Sequence, residues 1–242
     1  MKVAIAVLSI ALLGSIGLNG WLFQRGRSYY HQLNATRLDP LGLSVYPAEK
    51  ETLSQPMIAF YGDSRAAQWP APEAPELEAF TIVNRGIGAQ TTAQVLGRFQ
   101  THIAPLNPEI VVIQVGINDL KNIPLFPERR DEIVQTCKAN IRQMVDLSLG
   151  AGARVVVTTI FPLGAIPIER QLVWSDEVAV AIAEVNADIK TLASERVTAF
   201  DTVPILANPQ GIVNTKYRRD FLHLSPAGYA ALNRAIGSVL VP

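Results

Sequence analysis

From residue 57 onward, short apolar segments alternate with longer segments in which apolar residues recur every three or four positions. The short segments are rich in Val and Ile, as buried parallel strands are, and the longer repeats are typical of helices that pack on a sheet. This alternation predicts a parallel sheet covered by helices on both faces. The predicted strands are Met57–Tyr61, Thr81–Asn84, Ile110–Val115, Arg154–Thr159 and Val197–Phe200.

The predicted helices lie between these strands and after the last one. The start of the final helix is the best marked, because Ser225 is a suitable N-cap and Pro226 suits the first turn. Strands and helices in this order predict an α/β domain over residues 57–242, with a flavodoxin-like five-stranded parallel sheet. The earlier helices have apolar faces formed by Val95, Phe99 and Ile103, by Ile133, Cys137, Ile141, Met144 and Val145, and by Val178, Ile182, Val185, Ile189 and Leu192.

The amino-terminal segment is of a different kind. Residues 3–23 contain no charged side chain and, at about 1.5 Å per residue, can just cross a hydrocarbon core about 30 Å thick. They predict either a retained transmembrane signal anchor or a cleaved signal peptide, with Lys2 as its basic start and Ser15 and Gly17 near the cleavage site. We favour the anchor over residues 1–23, because the apolar stretch continues past that site to Phe23.

Residues 24–56 lack a sustained apolar period and contain several prolines, so we interpret them as a juxtamembrane tether. Arg25 and Arg27 outnumber Lys2, and by the positive-inside rule they would hold the following domain in the cytoplasm. The usual purpose of such a leader is the opposite, namely export of the domain that follows it. We therefore expect the domain on the extracytoplasmic side of a membrane, or secreted if the leader is cleaved.

The charge and cysteine content exclude several classes of function. The chain has 21 basic and 21 acidic residues and a formal net charge of +0, so no global field would attract nucleic acid. Cys137 is the only cysteine, which excludes an internal disulfide and a metal site built from several cysteines. Its place on an apolar helix face favours burial as a small hydrophobic residue.

Four polar clusters stand out against this background. Residues 62–64 (Gly-Asp-Ser), 85–88 (Arg-Gly-Ile-Gly) and 116–119 (Gly-Ile-Asn-Asp) each follow one of the first three strands. Residues 220–223 (Asp-Phe-Leu-His) immediately precede the capped final helix. Because ligands of open parallel sheets gather beyond the carboxyl ends of the strands, we expect these clusters to form one site.

Three of these residues suit nucleophilic catalysis. Ser64 lies where a buried strand gives way to a turn, and a serine hydroxyl needs a base to act as a nucleophile. His223 is the candidate base, because an imidazole titrates near neutral pH. Asp220, three residues earlier, can orient the ring through Nδ1. Each signal alone is also explained by a helix cap or a packed histidine, so the prediction depends on their combination.

Acyl transfer also requires hydrogen-bond donors directed at the developing oxyanion. The backbone N–H of Gly86, the side-chain amide of Asn118 and the backbone N–H of Ser64 are the candidates. Turn chemistry alone would account for Gly86, and an Asx turn would account for Asn118. Their positions after successive strands, beside the candidate nucleophile, favour the functional interpretation.

Taken together, the clusters resemble the SGNH hydrolase superfamily of GDSL-type esterases and lipases. The resemblance covers about residues 57–241 and includes the run His-Leu-Ser-Pro-Ala-Gly-Tyr from His223 to Tyr229. It implies a three-layer α/β/α fold, hydrolysis of a lipid or carbohydrate ester, and no metal or organic cofactor. It also implies that Ser64 is the nucleophile and His223 the base, with Asp220 as orienter and Gly86 and Asn118 as oxyanion donors.

Three further residues are candidates for contact with substrate. Arg65 stands where the family often has an apolar residue, and with the basic residues before Asp220 it could attract an anionic substrate, although a solvated basic surface is the simpler interpretation. Phe161 and Leu163 follow the fourth strand and could line an acyl pocket, although an apolar loop packed on the domain is the commoner arrangement.

Other functions fit the sequence less well. A dinucleotide site is disfavoured, because Thr91 replaces the third glycine of the fingerprint. An α/β-hydrolase is disfavoured, because Gly-Asp-Ser-Arg-Ala lacks the Gly-x-Ser-x-Gly elbow. An acyltransferase that uses the same serine stays open, and so does a catalytically idle module that binds a glycan or a lipid.

Overall fold

The computed structural model describes residues 1–46 and 56–241 of the chain. The chain divides into two compact units, Met1–Ser44 and Val45–Pro242. The first unit carries the apolar amino-terminal segment, and the second carries all four polar clusters. The predicted division into an anchor (1–23), a tether (24–56) and a domain (57–242) stays a prediction, and residues 47–55 of the tether lie outside the described residues.

The first unit is built on one helix, α1 (Lys2–Leu38), whose residues are almost all exposed. Its most apolar stretch has a mean hydropathy of 2.0, so the helix is long and apolar enough to cross a membrane. At about 1.5 Å per residue it measures about 56 Å, more than a membrane core requires. The helix includes residues 24–38, which were predicted to belong to the tether. No proline interrupts the chain before Pro40, so the helix can continue to that point.

The second unit contains a five-stranded sheet in the order β2-β1-β3-β4-β5, and every neighbouring pair is parallel. This confirms the predicted α/β fold. All residues of β1 and β3 are buried, as expected for strands covered on both faces. The strands are β1 (Met57–Gly62), β2 (Thr81–Gly86), β3 (Ile110–Gln114), β4 (Arg154–Thr158) and β5 (Val197–Phe200).

The sheet separates two apolar core layers, and helices cover both of its faces. Short 3-10 turns at Pro75–Leu77, Ala104–Leu106, Ile123–Leu125, Pro127–Arg129 and Thr215–Tyr217 complete the connections. The helices of this unit are α2 (Ser64–Ala67), α3 (Thr92–Gly97), α4 (Phe99–His102), α5 (Ile117–Leu120), α6 (Arg130–Gly150), α7 (Ile168–Gln171), α8 (Glu177–Lys190), α9 (Val203–Leu206) and α10 (Pro226–Leu240).

The long helices agree with the sequence prediction. The apolar faces of α6 and α8 lie in one core layer, and Cys137 is buried there. At the start of α10, the Ser225 side chain accepts a hydrogen bond from the Gly228 N–H, and Pro226 occupies the first turn. Both the predicted cap and the predicted start of this helix are confirmed.

One predicted helix is wrong in detail. The face formed by Val95, Phe99 and Ile103 is buried as expected, but α3 and α4 are separate helices joined at Arg98. The backbone of Arg98 departs from helical geometry, with φ −101° and ψ 6°. Its side chain is wholly buried and donates hydrogen bonds to two backbone carbonyls. Apolar periodicity cannot show such a break, because the residues on either side stay on the same face.

Candidate active site

Ser64 is positioned by a sharp turn at the end of β1. Gly62 has a φ of +152°, and a Cβ atom there would lie 1.8 Å from the carbonyl oxygen of Gln114. The turn therefore requires glycine. Asp63 caps α2, because its Oδ1 accepts a 2.8 Å hydrogen bond from the Arg65 N–H. Ser64 is thus the first residue of a helix at the carboxyl end of the interior strand β1.

The three residues predicted for nucleophilic chemistry form one hydrogen-bonded line. Ser64 Oγ lies 3.0 Å from His223 Nε2. On the other side of the ring, His223 Nδ1 lies 2.9 Å from Asp220 Oδ2. Because Nδ1 faces a carboxylate, the favoured tautomer carries its proton there and leaves Nε2 free to accept the serine proton. The structure therefore brings together Ser64, His223 and Asp220 as the sequence predicted.

The turn that carries His223 also controls the charge of Asp220. Asp220 Oδ1 accepts hydrogen bonds of 2.8 Å from the N–H groups of both Leu222 and His223. Partial burial by itself would raise the pKa of Asp220, but these N–H groups and the imidazole outweigh burial and hold it below its usual value. Asp220 is therefore ionised at neutral pH and suited to stabilise a charged imidazole.

Two of the three predicted oxyanion donors are available at the site. Asn118, on α5, is buried, and its Nδ2 donates a 2.9 Å hydrogen bond to the carbonyl oxygen of Gln90, which leaves the second amide hydrogen unused. The Ser64 N–H has no hydrogen-bond acceptor within residues 1–46 and 56–241. Both donors lie at the carboxyl ends of neighbouring strands.

The structure corrects the prediction that Gly86 is the third oxyanion donor. Its N–H donates to Asn84 Oδ1 at 2.9 Å and is already occupied. A Cβ atom at Gly86 would lie 2.2 Å from the Ala67 nitrogen, so glycine is required there for close packing of β2 against α2. The loop that follows does approach the nucleophile, since a Cβ at Gly88 would lie 3.9 Å from Ser64 Cβ.

The comparison with known proteins agrees with this geometry. Residues 52–231 match the model of the GDSL-like lipase/acylhydrolase family. The chain belongs to this family. The predicted resemblance to GDSL-type SGNH hydrolases is thus confirmed, and the family supports a hydrolase.

Individual relatives of this chain are distant. The platelet-activating factor acetylhydrolase IB subunit alpha1 of Rattus norvegicus is 29% identical over 197 residues, which cover 77% of this chain and 76% of the relative. A Bacteroides fragilis protein assigned to the acylhydrolases has a similar fold, with a TM-score of 0.66 at 24% identity over 83% of this chain and 96% of its own. An acetyl-xylooligosaccharide esterase from Geobacillus Stearmophilus gives 0.58 at 20% identity, over 80% and 98%.

The residues predicted to contact substrate are corrected by the structure. Arg65 is wholly buried, where its Nε donates to the Leu222 carbonyl oxygen at 2.9 Å and its Nη1 to the Phe161 carbonyl oxygen at 3.1 Å. Phe161 is also wholly buried, and only 8% of Leu163 is exposed. These side chains pack beneath the site. Arg65 connects the turn that carries Ser64 to the turn that carries His223.

A second buried arginine, which the sequence analysis missed, supports the other side of the site. Arg98 Nε donates to Gln90 Oε1 at 2.6 Å, and its Nη1 and Nη2 donate at 2.8 Å to the carbonyl oxygens of Arg85 and Gly62. Arg98 thus links the ends of β1 and β2 to the residue whose carbonyl holds Asn118. Its sequence context, between two apolar residues of a predicted helix face, shows no sign of this role.

Buried carboxyl groups complete the surroundings. Asp119 accepts hydrogen bonds from the Thr92 N–H at 2.8 Å and from Thr92 Oγ1 at 2.6 Å, which joins α5 to α3. Burial raises the pKa of Asp119 to about 6, and burial likewise raises that of Asp63 to about 6. Within the described residues, no group of three or more His, Cys, Asp or Glu side chains could hold a metal ion.

Proposed function

We propose that the protein is a serine esterase that hydrolyses carboxylic esters through an acyl-enzyme on Ser64. The observation that carries the proposal is the line from Ser64 Oγ through His223 to Asp220, with contacts of 3.0 and 2.9 Å. A buried structural serine would not need a base and an ionised orienter aligned behind its hydroxyl. Membership of an acylhydrolase family supports the same reaction class.

The proposed reaction has two similar halves. His223 Nε2 removes the hydroxyl proton as Ser64 Oγ bonds to the ester carbonyl carbon, and the oxyanion that forms accepts hydrogen bonds from the Ser64 N–H and the Asn118 amide. The protonated imidazole, stabilised by Asp220, then gives its proton to the leaving alcohol. A water molecule repeats the sequence on the acyl-enzyme, and it releases the acid and restores Ser64.

We propose short acyl groups, acetyl above all, on a lipid or a carbohydrate. Two relatives carry names that denote acetyl esters as substrates, the rat acetylhydrolase subunit and the Geobacillus esterase. The burial of Phe161 and Leu163 is consistent with this, because neither side chain is available to line a longer acyl pocket.

We further propose that α1 keeps the esterase at a membrane, with the second unit on the extracytoplasmic side. The apolar character of α1 supports anchoring, and a cleaved leader would instead release the domain. Protease digestion of intact cells that express the chain with a carboxyl-terminal tag tests the side. Loss of the tag without lysis is expected, and a tag protected until lysis would contradict the proposed orientation.

The esterase proposal is tested with the purified chain and p-nitrophenyl esters from acetyl to octanoyl. We expect the acetyl ester to be the best substrate and Ser64→Ala to lower kcat by about 10,000-fold. Ser238→Ala, on the exposed part of α10, is the matched control. A fluorophosphonate is expected to label the wild-type chain at Ser64, and equal rates of hydrolysis for Ser64→Ala would refute the mechanism.

An acyltransferase is distinguished in the same assay. Release of p-nitrophenol by a hydrolase is expected to be independent of added sugar alcohols or glycerol. If an added alcohol accelerated the release of p-nitrophenol and was recovered as its ester, that alcohol, and not water, would be the second substrate.

A further inference from the structure

The amide of Asn118 is held at both ends. Its Nδ2 donates to the Gln90 carbonyl oxygen at 2.9 Å, and its Oδ1 lies 2.6 Å from the ammonium nitrogen of Lys121. Lys121 directly follows α5, and its Nζ reaches back across one helical turn to Asn118. A lysine carries only donors, so this contact fixes which end of the amide is oxygen.

This contact affects the hydrogen that Asn118 has left to donate. With Oδ1 bound to Lys121 and one amide hydrogen bound to Gln90, the second hydrogen has a single direction. A contact between an ammonium group and an amide oxygen is a charge-assisted hydrogen bond, stronger than a neutral one. It also draws electron density from the amide nitrogen, which strengthens Nδ2–H as a donor towards a negative oxygen.

Lys121 is not explained as half of an ion pair. In the described part of the chain no carboxylate lies within 4.0 Å of its Nζ. Lys138, in contrast, lies on α6 and pairs with Glu184 at 2.7 Å. The nearest hydrogen-bond partner of the Lys121 ammonium is instead the side chain proposed to stabilise the oxyanion.

We propose that Lys121 is a positioning residue for the oxyanion donor Asn118. It holds the Asn118 amide in the productive orientation, and its positive charge increases the strength of the remaining Nδ2–H donor. This inference rests on the proposed esterase function. The alternative role, in which Lys121 only stabilises the loop after α5, predicts a loss of stability without a specific loss of kcat.

The first experiment separates these roles with Lys121→Met, which keeps an unbranched side chain as far as the ε position and removes the ammonium group. We expect kcat for p-nitrophenyl acetate to fall about 10-fold to 100-fold while KM changes less than about 2-fold, because the oxyanion exists only after bond formation. Lys121→Arg is expected to recover most of the loss. Lys138→Met removes a partly buried lysine whose contact with Glu184, at 2.7 Å, is close in length to that of Lys121 with Asn118, at 2.6 Å, and its kcat is expected to match wild type.

A double-mutant cycle tests whether Lys121 acts through Asn118. On the Asn118→Ala background, Lys121→Met is expected to change kcat by less than about 2-fold, because the donor it positions is absent. An equal fold-change on both backgrounds would overturn the inference. If Asn118→Ala itself left kcat unchanged, the proposed oxyanion site would fail, and an active Ser64→Ala would refute the esterase function independently.

The pH profile supplies a readout that a structural role would not produce. Burial lowers the pKa of Lys121; Asp63 and Asp119 raise it, Arg170 and Arg65 lower it, and the net pKa lies below the usual value. Since the contact requires the ammonium form, kcat is expected to decline at alkaline pH as Lys121 loses its proton. This decline should be missing in Lys121→Met and displaced to higher pH in Lys121→Arg. An identical alkaline decline in all three proteins would contradict the inference.

Discussion

Two arginines beside Ser64 are fully buried without a carboxylate at ion-pair distance in the described chain. Arg65 and Arg98 instead donate to backbone carbonyl groups at the carboxyl ends of strands and in the loops that follow. A guanidinium has five donors in a rigid plane, so one side chain can hold several carbonyl groups at fixed positions. Residue type and apolar periodicity do not reveal such a role, which depends on where distant carbonyls meet.

The loop after β2 contains a residue in an unfavourable conformation. Ala89 has a φ of 65°, in the left-handed region that favours glycine. We expect Ala89→Gly to raise the free energy of unfolding by about 1 kcal/mol, since relief of this strain exceeds the entropy that glycine adds to the unfolded chain. Urea denaturation measures this change in the free energy of unfolding. Ala183→Gly, exposed within α8, is the control and should lower the free energy of unfolding by about 1 kcal/mol. A lower free energy of unfolding for both variants would contradict the proposed strain at Ala89.

The raised pKa of Asp119 predicts the direction in which the stability of the fold changes with pH. Burial raises its pKa in the folded state to about 6, above the 3.8 of an aspartate in water. Between these values the folded state keeps a proton that the unfolded state has lost, so this contribution to stability is present at low pH and is lost as pH rises through about 6. From pH 4.5 to 7.5, Asp119→Asn is expected to lose less unfolding free energy than wild type. Equal changes in both proteins would contradict the raised pKa.

At the level of elements, the break between α3 and α4 gives Arg98 its reach to β1 and β2. Arg98→Met leaves the carbonyl oxygens of Gly62 and Arg85 buried without this donor, so we expect a loss of about 3 kcal/mol in unfolding free energy. Arg142→Met, which removes a half-exposed contact with Asp188, should cost less than about 1 kcal/mol. If thermal or urea unfolding gave similar losses of unfolding free energy for Arg98→Met and Arg142→Met, the role of Arg98 would be contradicted.

The elements also show what the sequence could predict. All five strands and the helices α6, α8 and α10 were predicted, because each depends on local periodicity or a cap. The line from Ser64 to Asp220 was also predicted, because the short spacing of Asp220 and His223 coincides with polar clusters at the carboxyl ends of the strands, where ligands of parallel sheets gather. The break at Arg98, the occupied N–H of Gly86 and the buried position of Arg65 were not. The contacts of Arg65 and Arg98 join segments distant in sequence, which only the packed fold brings together. The Gly86 N–H is occupied by the side chain of Asn84, two residues earlier, and apolar periodicity does not reveal the direction of that side chain.

At the level of the whole molecule, the chain joins an apolar helix to an acylhydrolase unit that has its own sheet and core. If α1 inserts into a bilayer, lipid surrounds α1 whereas water surrounds the second unit. The unit Val45–Pro242 buries an apolar layer on each face of its sheet and contains every residue proposed for the reaction. The proposed reaction therefore uses no residue of α1.

This separation leads to a prediction about a chain without residues 1–44. We expect the full chain to sediment with membranes and to resist extraction at alkaline pH, because an inserted helix of about 20 apolar residues is held by hydrophobic burial rather than charge. The shortened chain should be soluble, with kcat for p-nitrophenyl acetate within about 2-fold of the full chain in detergent. Replacing four central leucines and isoleucines of α1 by serine in the full chain is the matched control for length. Release of the unaltered full chain by alkali would contradict anchoring, whereas an inactive but folded short chain would mean that α1 contributes to the site.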